Sequence, residues 1–211
     1  MPIEFYPTQS ALAIHTSSPE LGLALSNCAG EYRHQTWELG RALSTHLHLH
    51  LAEFIHPQAW SDLAFIAVAK GPGSFTSNRI GVVTARTLAQ QLEIPLFAIS
   101  TLAASAWSHA KDRKEAIAVQ MPAQRGEIFG GIYQVDPLDT GLKTLVPDSV
   151  MAISAWEHTL KTWNTPYHLI HAEGNLGADV MGVLELAHHQ WLQGERPQWS
   201  EALPFYGQQP V

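Results

Sequence analysis

The sequence predicts an α/β protein of two small lobes, and three observations carry that prediction. An uninterrupted apolar run, AFIAVAK (64–70), has the character of a strand covered on both faces. A glycine-rich turn, GPGSFTSNRIG (71–81), leads it directly into a helical pattern. Strand and helix patterns then alternate, as expected of parallel strands joined by crossover helices. The seam between the lobes is expected near residues 100–112, giving an N-terminal lobe over 1–104 and a smaller C-terminal lobe over 105–211.

The elements follow in order. ALAIHTSS (11–18) and ELGLALSN (20–27) are apolar runs split by Pro19, a hairpin signal, and EYRHQTW (31–37) alternates as a third strand. Between Leu39 and Ile55, the residues Leu43, Leu47, Leu51, Phe54 and Ile55 share one sector at about 100° per residue, so a helix with an apolar stripe is expected, closed by Pro57. The helix after the glycine turn is expected over Arg79 to Leu92 and ends before Pro95, where LFAIS (96–100) resumes as strand. TLAASAWSHA (101–110) predicts a helix, and AIAVQM (116–121) and EIFGGIYQV (127–135) predict strands. The chain reads as less regular after Pro137, with a helix near SAWEHTLKTW (154–163), a strand at YHLIHAE (167–173) and a helix at ADVMGVLELAHHQW (178–191). No internal sequence repeat is visible.

Composition narrows the function. With 211 residues, 45% of them hydrophobic, the chain can bury a substantial core. No stretch approaches the roughly 20 apolar residues of a membrane helix, and MPIEFYPTQS lacks the basic start and apolar segment of a secretory leader, so a cytoplasmic protein is expected. The single cysteine, Cys28, excludes an internal disulfide and a cysteine-built metal site. The net charge of −7 repels nucleic acid, so RNA contact by the chain alone is not expected. Twelve histidines make the net charge less negative below about pH 6.5.

The glycine turn lacks the Lys of G-x-x-x-x-G-K-[ST] and the spacing of G-x-G-x-x-G. Gly71 and Gly73 bracket Pro72 in a tight turn, and Ser74, Thr76, Ser77 and Asn78 are cap candidates for the helix. Gly73, Ser74 and Thr76 are the candidates for holding an anion, because a helix start carries roughly half a positive charge. His46 and His50 lie one helical turn apart, but His48 is about 160° away from His46 and a third ligand is missing, so no metal site is expected. No H-E-x-x-H and no triad spacing supports a peptidase. On the glycine-turn helix, Gly81, Ala85, Leu88 and Leu92 share the face expected to pack on the sheet, while Arg79, Val83, Arg86 and Gln90 share the opposite one. That outward set is either a solvated face or an interface rim with a small apolar centre.

The run GPGSFTSNRIGVVTARTLAQQLEIPLFAISTLAA (71–104), with LAIHTSS (12–18) before it and RGEIFGGIY (125–133) after it, resembles the signature of the TsaB family, also called YeaZ, which takes part in making threonylcarbamoyladenosine in bacterial tRNA. The resemblance implies an actin-like, sugar-kinase-like ATPase fold, related to ribonuclease H, in two small lobes. It further implies a non-catalytic subunit that binds a TsaD homologue, meets the ATPase TsaE through that complex, and reaches tRNA only indirectly. The pairing surface it implies comprises His46, His50, Arg79, Val82, Val83, Arg86 and Gln90, and the same helices are expected to form a homodimer in isolation. No catalytic residue, resident cofactor or metal is implied, although a nucleotide at the shared interface remains open.

Four sites depart from the family pattern. His15 stands where an LALDTS-like start has aspartate, Leu43 where related chains often keep a histidine, and Ser77 where many relatives have glycine. Pro122, Ala123 and Gln124 stand where many carry Asp-Ala-Arg. A carboxylate at the hairpin would hold Mg²⁺, which imidazole does poorly, so His15 is expected to be structural or hydrogen-bonding. Two alternatives stay open: an independent ATP-dependent phosphotransferase on the same fold, and a stand-alone homodimer with a regulatory role.

Overall fold

The computed structural model describes residues 9–27, 31–110, 114–136 and 141–207. Cys28, most of MPIEFYPTQS, and residues 111–113 of the expected seam lie outside the described residues.

Two sheets organise the chain. The first has the strand order β3-β2-β1-β4-β5, built from β1 (Ser10–His15), β2 (Glu20–Asn27), β3 (Tyr32–Glu38), β4 (Leu63–Ala69) and β5 (Leu96–Ile99). The first three strands form an antiparallel meander, and β4 and β5 run parallel to β1. The second sheet has the order β8-β7-β6-β9, from β6 (Ala116–Pro122), β7 (Glu127–Val135), β8 (Leu142–Ala152) and β9 (Tyr167–His171). It repeats the first plan without a fifth strand: an antiparallel meander, then a strand parallel to its first member. That repeat lies in the architecture and has no counterpart in the sequence.

Side-chain alternation along β1 assigns its two faces. Leu12 and Ile14 pack with Leu43, Leu47 and Leu51 of α1 (Leu43–Phe54) and with Val82, Ala85 and Ala89 of α2 (Phe75–Leu92). Ala11 and Ala13 face the other way, into a core shared with Ala104 of α3 (Thr101–Ser108) and Val180, Val183 and Ala187 of α5 (Val180–Leu192). Every residue of β4 is buried, because helices cover both sides of the sheet. α3 also serves the second sheet, where Leu102 and Ala106 meet Ile117, Val119 and Phe129. The outer side of that sheet is capped by α4 (Ile153–Lys161), whose Trp156 packs against Ala116, Ala118, Ile128 and Ile132.

Three boundaries differ from expectation. α2 begins at Phe75 rather than Arg79, because nothing in FTSN breaks a helix once the turn at Gly73 is complete. Helix α1 begins at Leu43, and Gly40–Ala42 form a 3-10 turn instead of its first residues. The region after Pro137 contains an eleven-residue strand, β8. Pro147 masks it in the sequence and is tolerated because β8 lies at the edge of its sheet. Among the described residues, no helix is long and apolar enough to cross a membrane.

Candidate functional site

The glycine turn packs tightly against the β1–β2 hairpin. The Ser74 amide donates to the Ser17 carbonyl at 2.9 Å, and the Thr101 amide donates to the Gly71 carbonyl at 2.9 Å. Thr16 Oγ1 donates to the Ser77 carbonyl at 2.9 Å, and the Ser17 and Thr101 hydroxyls lie 2.7 Å apart. The contact is so close that only glycine fits at two positions. A Cβ on Gly73, which sits at φ +151°, would stand 2.3 Å from the Ser17 carbonyl oxygen, and one on Gly81 would stand 2.1 Å from Thr16 Oγ1. Ser74 occupies the N-cap position, but its hydroxyl bonds the Ser77 hydroxyl at 3.0 Å and makes no cap bond to a first-turn amide. Asn78, read as a cap from sequence, is instead fully buried, and neither atom of its amide has a hydrogen-bond partner.

These residues do not fit a Mg²⁺-nucleotide. The Ser74 amide is engaged by Ser17, and the turn leaves less than a methyl group's width between itself and the hairpin. His15, in the carboxylate's position, is fully buried on the face of β1 that also carries Ala11 and Ala13. Burial lowers its pKa to about 4, so the imidazole is neutral at pH 7. Neither ring nitrogen has a hydrogen-bond partner, which corrects the hydrogen-bonding part of the expectation and leaves the structural part. Ser77 contributes its carbonyl to Thr16. Pro122 ends β6, and Gln124 opens the tight turn into β7. Of the anion candidates, Ser74 and Thr76 border an open groove of about 450 Å³ that also meets Arg41 and Ser44 at the start of α1, whereas Gly73 is turned onto Ser17.

The outer surface of α1 and α2 gathers most of the predicted pairing residues. Val83 is 57% exposed, flanked along its helix by Arg79 and Arg86, with Gln90 also exposed. Val82 is fully buried against the first sheet and does not belong to this surface, because one residue along a helix is a rotation of about 100°. On α1, His46 is exposed, with Nδ1 3.1 Å from the Ala42 carbonyl oxygen, and His50 stacks on Trp37 at a ring distance of 4.5 Å. Leu43 packs in the core. Among the described residues, no group of three or more His, Cys, Asp or Glu is placed to share a metal ion.

Sequence reasoning missed further members of the same surface. Phe75 and Leu49 are exposed apolar side chains, and a segment following α5 adds two aromatic rings. Trp199 lies under the Arg86 guanidinium at 5.6 Å, and Tyr206 lies 4.5 Å from Phe75, over which Arg79 sits at 5.6 Å. The Phe205 amide anchors that segment to the Lys70 carbonyl at 2.7 Å. The spacing of Phe75, Arg79 and Val83 at four-residue intervals would have revealed part of this, given the true start of α2.

A second polar site links the two sheets. Ser100 caps α3 by accepting from the Ala103 amide at 3.1 Å, and its hydroxyl donates to the Asp148 carboxylate, which also accepts from the Tyr133 hydroxyl. Burial raises the Asp148 pKa, with Lys70 and the two hydroxyls opposing, and burial together with the adjacent carboxylate raises that of Tyr133. A cleft of about 370 Å³ opens beside this network, walled by Leu142, Leu186 and Phe205. The network joins β5 and α3 to β7 and β8 and so acts as a bolt between the two sheets.

A first sheet ordered 3-2-1-4-5, with a meander followed by two parallel strands and a second sheet on the same plan, defines the actin-like, ribonuclease H-like fold. The model for the family described as TsaD, tRNA N6-adenosine threonylcarbamoyltransferase, matches residues 55–167, more than half of the chain. The chain is 39% identical over 105 residues to the tRNA threonylcarbamoyladenosine biosynthesis protein TsaB of Bacillus subtilis (strain 168), covering 50% of this chain and 44% of that protein. It is 37% identical over 79 residues to the protein of the same description from Escherichia coli (strain K12), covering 36% and 33%. The chain thus spans about half or less of the length of these curated relatives. YeaZ from Pseudomonas aeruginosa superposes with a TM-score of 0.75 at 23% identity, over 94% of this chain and 99% of that one. The chain belongs to the family that the TsaD model describes, and the curated relatives it resembles are described as TsaB.

Proposed function

We propose that the chain is a non-catalytic docking subunit of the cytoplasmic machinery that makes threonylcarbamoyladenosine in tRNA, and that it binds a TsaD homologue through the outer surface of α1 and α2. The curated relatives carry the name of that biosynthesis, which supports the pathway. The single observation that carries the docking role is the outward set of α2: an exposed Val83 between Arg79 and Arg86, on a helix whose other side is held in the core. An apolar centre with an arginine rim is the composition of an interface core and its hot spots. The non-catalytic reading is supported by the buried, neutral His15 and by the closed contact between glycine turn and hairpin. With a net charge of −7, tRNA is reached through the complex.

The test is affinity purification of the tagged chain from its own host, beside a Val83→Glu variant. Recovery of the TsaD homologue with the native chain and its loss with the variant is the expected result, since the substitution places a carboxylate at the centre of the contact. Equal recovery by both would remove this face from the reading. Turnover of Mg·ATP by the purified chain alone would replace the reading with a phosphotransferase.

A further inference from the structure

Between the two sheets lies a cleft of about 370 Å³ that the docking role leaves unused. Its polar walls come from distant stretches of chain. Lys70 follows β4, Ser100 precedes α3, Tyr133 belongs to β7 and Asp148 to β8. The Asp148 carboxylate accepts from the Ser100 hydroxyl on one oxygen and from the Tyr133 hydroxyl on the other, so each oxygen keeps a lone pair for a further donor. Lys70 stands near enough to lower the Asp148 pKa, yet the two form no ion pair. The Lys70 backbone is held on both sides: its amide donates to the Ile99 carbonyl at 2.8 Å, and its carbonyl accepts from the Phe205 amide at 2.7 Å. Opposite charges thus line one cleft from two sheets without meeting each other.

We propose that this cleft is a binding site for a small zwitterion, a free α-amino acid with an apolar side chain, whose carboxylate pairs with Lys70 and whose ammonium pairs with Asp148. The inference goes beyond the docking role, and the cleft shares no residue with the outer surface of α1 and α2. Size and charge select the ligand. Ligand clefts span roughly 300–1,000 Å³, so this one is at the small end and suits a molecule of about ten heavy atoms rather than a nucleotide. A purely anionic ligand would bring like charge to Asp148, and a purely cationic one would bring it to Lys70, a repulsion that a zwitterion avoids. The apolar substituent also has a place. Leu142, Leu186 and Phe205 wall the cleft, and Gln190 adds an amide able to donate to the ligand carboxylate. The charges are positioned before the ligand arrives, because two hydroxyls fix the Asp148 carboxylate and two backbone bonds fix the Lys70 main chain. Burial opposes the Asp148 charge, and an incoming ammonium offsets that cost.

Titration of the purified chain with L-leucine, followed by amide NMR shifts, tests this. Saturable shifts at the Ser100 and Tyr133 amides are expected, with a dissociation constant of about 1 mM or below. L-Leucinamide, which lacks the carboxylate, and isocaproate, which lacks the ammonium, are each expected to bind about tenfold or more weakly. Lys70→Met and Asp148→Asn are each expected to weaken L-leucine by about tenfold or more. Asp148→Asn also touches the bolt between the sheets, so where its circular dichroism departs from that of the native chain, Lys70→Met and the two analogues decide. No saturable shift with L-leucine, L-methionine or L-phenylalanine up to about 20 mM overturns the site. L-Leucine binding that Lys70→Met leaves unchanged overturns the assignment to this cleft, and equal binding of either analogue overturns the zwitterion. None of these measurements involves the TsaD homologue, so the docking role stands or falls apart from them.

Discussion

Val82 and Val83 are the same amino acid at adjacent positions of α2, yet the first is fully buried and the second is 57% exposed. The inner face of the helix, with Gly81, Val82, Ala85 and Ala89, is small and apolar so that its backbone approaches the sheet and the hairpin closely. The outer face carries Arg79, Val83 and Arg86, and its aromatic companions come from more than a hundred residues later. In the docking role proposed above, folding and recognition fall to two sides of one helix. A substitution on either side should report on one of them and leave the other alone.

The largest effect is expected at Gly81→Val. Its Cβ would overlap Thr16 Oγ1, which is fixed by the Ser77 carbonyl, so a loss of about 3 kcal/mol in urea unfolding is expected. Stability close to the native value would mean that the inner face has slack the structure does not show. The histidines extend the contrast between inside and outside. His15 is buried with a pKa lowered to about 4, whereas His46 and His48 face solvent. Unfolding lets His15 bind a proton below its ordinary pKa of 6.5, so its neutral form favours folding fully above pH 6.5, and that contribution is lost as pH falls toward 4. Relative to His15→Leu, the native chain should lose roughly 2–3 kcal/mol between about pH 6.5 and 4, read from paired unfolding curves. Parallel curves would place His15 in contact with solvent.

The two valines supply the smaller and sharper tests. Val82→Ala removes buried methyl groups and should cost about 2 kcal/mol in thermal or chemical unfolding. Val83→Ala should change stability by less than about 0.5 kcal/mol and act on partner affinity alone. If the two variants melt alike, the division of labour across α2 is wrong.

What the sequence disclosed followed from local periodicity. The hairpin at Pro19, the α1 stripe from Leu43 to Ile55, the doubly covered β4 and the β7 limits of Glu127 and Val135 all repeat over a few residues, and each is found. The outward set Arg79, Val83 and Arg86 was legible for the same reason. Val82 was misplaced because it was attached to that set by adjacency, when helical rotation turns it inward. β8 was hidden by Pro147, a residue that reads as a breaker until an edge position excuses it. The bolt of Ser100, Tyr133 and Asp148 and the rings of Trp199 and Tyr206 depend on contacts across long stretches of chain, for which no local pattern exists.

One feature of the core sets the order in which the molecule can be completed. α5 follows β1 to β9 in the sequence, yet it packs on the first sheet, where Val180, Val183 and Ala187 cover Ala11, Ala13, Phe65 and Phe97. During synthesis, one side of that sheet is therefore without its α5 cover until the strands of the second sheet have left the ribosome. The apolar side chains waiting there are a target for chaperones and for aggregation. A nascent chain halted anywhere before α5 is a sheet with an open side, so the step that finishes the oldest part of the fold is also a checkpoint on the integrity of everything made after it.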